Sequence, residues 1–164
     1  MGSPVDVEGL CVNAGAATLV DNLSFSIRPG EVLALIGESG SGKTTTALAL
    51  MGFARHGCRI SGGRVRIGDV EVLGLAPRQL RALRGRTVTY IAQSAAASFD
   101  PSRTILDQVV EPARVHGVLR RAEAELKAIG LFRELALPEP ESIGSRYPHQ
   151  VSGGQLQRLM AAMA

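Results

Sequence analysis

Aromatic side chains are scarce in this sequence: they make up 4% of the 164 residues, and tryptophan is absent. Lysine is nearly absent too, because only 2 of the 18 basic residues are lysine and the rest are arginine. The arginines are spread along the chain, so no basic stripe interleaves with aromatic residues. This pattern argues against a nucleic-acid-binding surface. We interpret the arginines as a solvated basic face, in keeping with a net charge of +3.

Cysteine is limited to Cys11 and Cys58, which form no C-x-x-C pair. Neither a zinc site nor a disulfide framework is therefore expected, and the two thiols fit a reducing compartment. Long apolar runs are also absent, so no stretch approaches the length of a membrane span. The first residues lack the charged-then-apolar pattern of a secretion signal. We expect a soluble chain whose link to a membrane runs through a partner.

The apolar pattern predicts strands in two settings. Residues 4–28 alternate between apolar and polar side chains around a loop of small residues, as half-buried strands do. Residues 64–67 and 71–73 predict two strands around a Gly68-Asp69 turn, after a loop. In contrast, the continuous apolar run Val32–Ile36 predicts a strand buried on both faces, as in a parallel sheet. Residues 87–91 predict a second strand of that sheet.

Five helices are predicted between and after these strands. The first covers residues 45–53, which are rich in alanine and leucine. A second begins at Pro77, a favoured first helical residue, and ends just before Gly85. Two more cover residues 103–115 and residues 121–130, the latter stopping at its terminal glycine, and the last covers residues 155–164. The order of elements predicts an α/β protein.

The stretch Gly37–Thr44 reads GESGSGKT and fits G-x-x-x-x-G-K-[ST] at every fixed position, between a predicted strand and a predicted helix. Glycines let the backbone curl around a phosphate, and the helix start adds a positive dipole end. Lys43 would reach the β- and γ-phosphates, the Thr44 hydroxyl would ligate Mg²⁺, and Thr45 could donate near the α-phosphate. A loop that only turns the chain is the less favoured alternative. The predicted nucleotide-contacting residues are Gly37, Glu38, Ser39, Gly40, Ser41, Gly42, Lys43, Thr44 and Thr45.

A second motif lies at residues 151–158, where Ser-Gly-Gly directly precedes a helix rich in leucine, methionine and alanine. Two glycines allow close backbone approach, and the serine hydroxyl and helix start offer donors to an anion. The alternative is a plain helix N-cap at Ser152. Taken alone, the second motif favours the N-cap.

Together the two motifs resemble the ATP-binding subunit of ABC transporters. That family carries a phosphate loop, then a glutamine at the end of a strand, then an LSGGQ signature followed by Gln-Arg. Here the glutamine is Gln93, and the signature is Val151–Gln155, with valine in place of the usual leucine. Residues 90–94 and 98–101 look like the peptide/nickel importer branch, and the nickel or opine-metallophore members look closest.

The resemblance implies an α/β P-loop NTPase (RecA-like) core, an antiparallel β subdomain and a helical subdomain. The C-terminal part of the core would be missing. The resemblance implies one nucleotide-binding domain over residues 1–164, which has three parts. The ATP-binding core with the β subdomain covers residues 1–94, the helical subdomain covers residues 95–152, and the signature helix covers residues 153–164.

The resemblance also implies roles for individual residues. ATP and Mg²⁺ would be the cofactors, sandwiched between the phosphate loop of one subunit and the signature of another. Lys43 and Gln93 would be catalytic, and Thr44 and Gln93 would lie at the metal. The signature residues expected to contact nucleotide bound by the partner chain are Ser152, Gly153, Gly154 and Gln155.

The implied function is to couple ATP binding and hydrolysis to import of a peptide, nickel or a metallophore. The implied partners are a second ABC ATPase subunit, identical or different, transmembrane permease subunits and, indirectly, a solute-binding protein, with no nucleic acid. The expected location is the cytoplasmic face of the inner membrane, as a peripheral subunit.

Two departures from the family pattern affect these expectations. The family's Walker B strand and catalytic glutamate lie beyond the signature helix, and the sequence ends at Ala164. We therefore expect a fragment that binds ATP, hydrolyses it poorly and exposes apolar surface. The loop Asn13–Ala17 also lacks the aromatic residue that usually stacks on adenine, which leaves the preference between ATP and GTP open.

Three alternatives remain. One is a non-catalytic nucleotide-binding fragment, and another is a soluble ABC ATPase in repair or translation. A P-loop kinase or GTPase is the third, but it would leave residues 151–158 unexplained.

Overall fold

The structure of the chain is a computed structural model, and it describes residues 2–164. The chain forms two compact units, one ending at Arg84 and the other beginning at Gly85. The first contains strands β1 (Val5–Ala14), β2 (Ala17–Ile27), β3 (Cys58–Ile67) and β4 (Val70–Glu71) and helices α1 (Lys43–Ala49) and α2 (Pro77–Leu83). The second contains helices α3 (Ile105–Val109), α4 (Glu111–Val115), α5 (Arg121–Glu134) and α6 (Gly153–Met163). The division predicted at residues 94 and 152 stays a prediction.

The first unit is built on an antiparallel sheet in the order β2-β1-β3-β4. Strand β1 lies in the middle, where Val5 is opposite Ile27 of β2 and Ile67 of β3. Side chains alternate between the two faces of a strand. Three of the four valine and leucine side chains on β1 are buried, and helix α1 packs against β1 and β2. This sheet confirms the predicted antiparallel strands of residues 4–28 and the turn at Gly68-Asp69.

The loops predicted in the first unit are shorter than expected. The loop expected at residues 13–17 shrinks to a two-residue turn, Gly15-Ala16, because Asn13 pairs with Thr18 and Ala14 with Ala17. The loop expected before residue 64 is strand from Cys58 onward. Glycine and polar residues lowered the strand propensity of these segments, and pairing with the central strand β1 overrides that local preference.

The prediction of a buried strand at residues 32–36 is wrong. The segment forms no strand, and Val32 and Ile36 are 91% and 93% exposed. A parallel strand needs a hydrogen-bonded neighbour, and no strand within residues 2–164 pairs with this run. The strand predicted at residues 87–91 is also absent. The apolar surface expected to be exposed is found at residues 32–36.

The second unit is a helical bundle with its own core. Helix α5 presents Ala124, Ala128 and Phe132 to that core at four-residue spacing, which places them on one face. Helix α6 contributes Leu156, Leu159 and Met160. The other buried members of the cluster are Ala95, Phe99, Ile105, Val109, Val110, Leu137 and Ile143.

Three helix predictions in the second unit need correction. Residues 103–115 form two short helices, α3 and α4, because Pro112 lacks the N–H that a continuous helix would bond. Gly130 does not stop α5, which ends at Glu134 before Ala136 adopts a left-handed φ of 51°. Helix α6 begins at Gly153, two residues before the start predicted from composition and at the start that the resemblance implied. Within residues 2–164, none of the helices combines the length and apolar character needed to span a bilayer.

Candidate functional site

The phosphate loop lies in the first unit and leads directly into α1. Its lysine folds back onto the loop: Lys43 Nζ donates to the carbonyl oxygens of Gly37 at 2.7 Å and Glu38 at 2.6 Å. A third contact joins Nζ to Ser41 Oγ at 3.2 Å. The backbone N–H of Ser41 donates to the Glu38 carbonyl at 3.2 Å and closes a turn. These three contacts hold the ammonium group against the loop.

Two glycines of the motif adopt a backbone conformation that other residues rarely adopt. Gly40 and Gly42 both have φ of 86°, in the left-handed region. A Cβ on Gly42 would lie 2.4 Å from the carbonyl oxygen of Leu19 in β2, whereas a Cβ on Gly40 would meet no atom within 4 Å. Gly42 is therefore required for both conformation and space, and Gly40 for conformation alone.

The start of α1 offers backbone donors to a ligand. Gly42 is the N-cap and supplies no side-chain cap, and the first helical hydrogen bond runs from Thr46 N to Gly42 O. The N–H groups of Lys43, Thr44 and Thr45 have no acceptor among the described residues. Thr44 is exposed, whereas Thr46 is 3% exposed and belongs to the core. Thr44 and Thr45 thus lie on the first turn of α1, where Thr44 is exposed and Thr45 half-buried, and their predicted ligand roles stay predictions.

These features fit the triphosphate and magnesium that the motif implies. Free N–H groups at a helix start and an ammonium group are the groups that bind phosphate oxygens. No cluster of three or more histidine, cysteine or carboxylate side chains that could hold a metal occurs in residues 2–164. Magnesium bound with nucleotide takes few protein ligands and several waters and phosphate oxygens, so the exposed Thr44 hydroxyl would be enough to hold it, as the motif implies.

Gln93 lies in the second unit, in a bend between two anchored alanines. Ala92 packs against the helical core and Ala95 is buried in it, while Gln93 itself is exposed. Within residues 2–164 its side chain makes no hydrogen bond. Its predicted catalytic and metal-binding roles stay predictions.

The signature also lies in the second unit and forms a reciprocal helix cap. Ser152 Oγ accepts from Gln155 N at 3.3 Å, and Gln155 Oε1 accepts from Ser152 N at 2.8 Å. Gly153 and Gly154 are exposed, and a Cβ on either would meet no atom within 4 Å. Ser152 is therefore an N-cap, as the alternative interpretation predicted, and the two glycines leave the first turn of α6 open to an approaching group.

Sequence reasoning assigned no structural role to two polar side chains that shape this unit. Arg158 donates to the carbonyl oxygens of Leu135 at 3.2 Å and Ala136 at 2.6 Å, which joins the end of α5 to α6. Gln108 is 7% exposed and bonds the segment that follows Phe99. Gln-Arg after the signature pointed to Arg158, but no periodicity or motif pointed to Gln108.

A phosphate loop that enters a helix, together with a capped Ser-Gly-Gly helix start, defines an ATP-binding cassette of the P-loop NTPase class. The chain belongs to the ABC transporter family, whose profile matches residues 20–164. The family prediction is confirmed.

Curated relatives cover most of this chain. It is 40% identical over 153 residues to a peptidoglycan transport ATP-binding protein of Agrobacterium fabrum, covering 92% of this chain and 28% of the relative. It is 41% identical over 155 residues to a glutathione import ATP-binding protein of Escherichia coli, covering 88% of this chain and 24% of the relative. An oligopeptide transport ATP-binding protein of Salmonella typhimurium is 38% identical over 150 residues, covering 92% of this chain and 44% of the relative. The chain thus spans less than half the length of these relatives.

Solved structures share the fold. A dimeric bacterial ABC transporter cassette superposes with a TM-score of 0.83 at 23% identity, covering 97% of this chain and 68% of that one. A dimeric ATP-binding cassette in a post-hydrolysis state with ADP and Pi gives a TM-score of 0.80 with the same identity and coverage. At this identity the likeness establishes the fold, and it confirms the predicted α/β P-loop class.

Proposed function

We propose that this chain binds ATP with Mg²⁺ through Gly37–Thr45 and is the nucleotide-binding part of an ABC import ATPase. The observation that carries the proposal is the Lys43 ammonium group, which lies over a loop of matching sequence and donates to the carbonyls of Gly37 and Glu38. In a chain of this family, the phosphates of ATP are the natural ligand for such a loop.

The contacts of Lys43 explain how a phosphate would be bound. The ammonium group has three N–H donors, and two of them bond carbonyl oxygens of the loop. A charged phosphate oxygen is a stronger acceptor than a neutral carbonyl or hydroxyl, so it would displace the weakest contact, to Ser41 Oγ at 3.2 Å. The N–H groups of Lys43, Thr44 and Thr45 would add donors from the first turn of α1.

The signature is proposed to contact the γ-phosphate held by a second ABC subunit. Ser152 Oγ accepts from Gln155 N–H but keeps its own O–H proton to donate. The exposed Gly153 and Gly154 let a phosphate approach the backbone at the start of α6. The fold likeness to dimeric cassettes supports this arrangement. Gln93 would act near the metal and the attacking water.

Peptides are the solute class that the relatives favour. Their names specify glutathione, oligopeptide and peptidoglycan transport. We propose that the chain serves uptake of peptide-like solutes through permease subunits, as a peripheral protein at the cytoplasmic face of the inner membrane. Nickel and metallophore transport stay predictions from the sequence.

The test is calorimetric titration of the 164-residue chain with ATP and Mg²⁺. The chain offers a matched control, because its only other lysine, Lys127, is exposed on α5. Loss of a hydrogen bond to a charged group weakens binding by roughly 10- to 100-fold. Lys43→Ala should therefore lower the affinity for ATP by at least about tenfold. Lys127→Ala should bind as the unchanged chain does. Equal affinity in both variants would refute the proposal.

Turnover is a separate measurement on the same samples. Phosphate release by the 164-residue chain is predicted to be slow. That prediction comes from the sequence comparison with the family and stays independent of the binding result.

A further inference from the structure

Gln108 is one of two buried polar residues in the described part of the chain, at 7% exposure. It lies on α3, one turn from the helix start, and its side-chain amide points at the segment that enters the helix. Gln108 Oε1 accepts from Asp100 N at 2.7 Å. Nε2 donates to the carbonyl oxygens of Asp100 at 3.0 Å and Arg103 at 3.1 Å, and also lies 3.3 Å from Thr104 O.

These contacts engage both backbone polar groups of one residue, Asp100. The N–H and the C=O of Asp100 each bond the same amide side chain, as they would bond a neighbouring strand. The Asp100 carboxylate in turn accepts from Ser102 N at 2.9 Å and Ser102 Oγ at 2.7 Å. Residues 100–104 are therefore held by side-chain hydrogen bonds in place of regular secondary structure.

The segment held in this way directly follows the turn at residues 95–99, which begins two residues after Gln93. Phe99, at 5% exposure, is buried in the helical core directly before Asp100, and Ala95 is buried at the other end of the turn. Between them Ser98 N donates to Ala95 O at 2.9 Å. The exposed residues of the turn are thus anchored by two core side chains and by Gln108.

Ion pairs continue the connection into the neighbouring helices. Arg103 pairs with Glu111 of α4 at 2.7 Å, and Asp107 of α3 pairs with Arg121 of α5 at 2.9 Å. Thr104 Oγ1 contacts Asp107 Oδ2 at 3.1 Å. The turn, α3, α4 and α5 are therefore linked by contiguous polar contacts.

We propose that Gln108 is a positioning residue that locks the turn after Gln93 to α3, so that the turn and the helices α3 to α5 move together. A displacement of Gln93 would then be carried to the helices rather than absorbed by a flexible loop. The link to nucleotide through Gln93 rests on the proposed function. The locking itself does not, and it is tested without nucleotide.

The experiment measures local mobility in the full chain with Cys11 and Cys58 replaced by alanine. A spin label is attached at Ala97→Cys, which is exposed in the turn, or at Leu126→Cys, which is 72% exposed on α5. Gln108→Leu keeps the side chain's approximate size and removes all its hydrogen bonds. Gln157→Leu, an exposed glutamine on α6, is the matched control.

Gln108→Leu should mobilise the label at residue 97 and leave the label at residue 126 unchanged. Exchange of the Asp100 amide proton should accelerate roughly 10- to 100-fold, the effect of losing a buried hydrogen-bond partner. Gln108→Glu retains an acceptor for the Asp100 amide, so most of that amide's protection from exchange should remain. It loses the Nε2 donor, so the label at residue 97 should still become more mobile. Gln157→Leu should match the unchanged chain in every readout.

Two results would overturn the proposal. One is a label at residue 97 that stays as immobile in Gln108→Leu as in the unchanged chain. The other is loss of protection throughout α5 and α6 in both Gln108→Leu and Gln108→Glu, because that would make Gln108 a general structural residue with no local role. If the chain did not bind ATP but Gln108→Leu mobilised the label at residue 97 as expected, only the proposed function would be refuted.

Discussion

Replacing Gly42 with alanine should damage the phosphate loop more than the same change at Gly40. Both glycines have φ of 86°, so each alanine costs about 1–2 kcal/mol for its left-handed backbone. At Gly42 the added Cβ would lie 2.4 Å from Leu19 O and 3.4 Å from Val20 Cγ2. Relieving that contact requires movement of the loop or of β2, which adds about 1–3 kcal/mol, a typical cost of overpacking.

The expected losses are therefore about 1–2 kcal/mol for Gly40→Ala and about 2–5 kcal/mol for Gly42→Ala. They are measured as the free energy of unfolding in urea without nucleotide and as the affinity for ATP with Mg²⁺. Gly15→Ala is the control, because Gly15 has φ of 56°, open space around its Cβ position and a place in the β1–β2 turn. It should lose stability and keep its ATP affinity. If Gly42→Ala lost no more than Gly40→Ala in either measurement, the close approach of the Leu19 carbonyl would not constrain the loop.

Three further predictions concern the second unit. Ser152→Ala should lower the free energy of unfolding in urea by about 1 kcal/mol, because α6 loses its N-cap hydrogen bond; no loss would contradict the cap. Phe132→Ala should cost about 3–5 kcal/mol, whereas Leu126→Ala should cost under about 0.5 kcal/mol, since these side chains are 1% and 72% exposed; similar costs would contradict the helix orientation. Hydrogen bonds from Ser102 lower the pKa of Asp100 in the folded chain. Their contribution to stability is therefore fully present above the ordinary aspartate pKa, and it is lost as the pH falls through the lowered pKa of the folded chain. The NMR shift of the Ser102 amide should titrate with a midpoint below the ordinary aspartate pKa, and a midpoint at or above that pKa would contradict the contact.

The elements best predicted from the sequence were those whose cause is local. Pro77 begins α2 because its φ suits a first helical position, and the Gly68-Asp69 turn joins β3 to β4. The phosphate-loop motif could be located residue by residue, because its glycines and lysine stand at fixed spacings; the predicted contacts of these residues with nucleotide stay predictions. Ser152 was recognised both as part of the signature and as an N-cap.

The errors arose where a distant partner decides the outcome. The apolar run at residues 32–36 has the composition of a buried strand but lacks a pairing strand within residues 2–164. Cys58 to Gly63 read as loop, yet pairing with β1 makes them strand. Gln108 could not be recognised, because its role depends on backbone groups eight residues earlier that the fold brings beside it.

The most direct measurement of the central claim is the set of backbone amide NMR shifts caused by inorganic triphosphate with Mg²⁺. The claim is that the loop around Lys43 binds the phosphates of ATP, so triphosphate alone should shift the amides of Gly40, Gly42, Lys43, Thr44 and Thr45. The same titration of Lys43→Ala should need a concentration at least about tenfold higher. Shifts confined to other parts of the chain, or equal responses from both proteins, would contradict the claim.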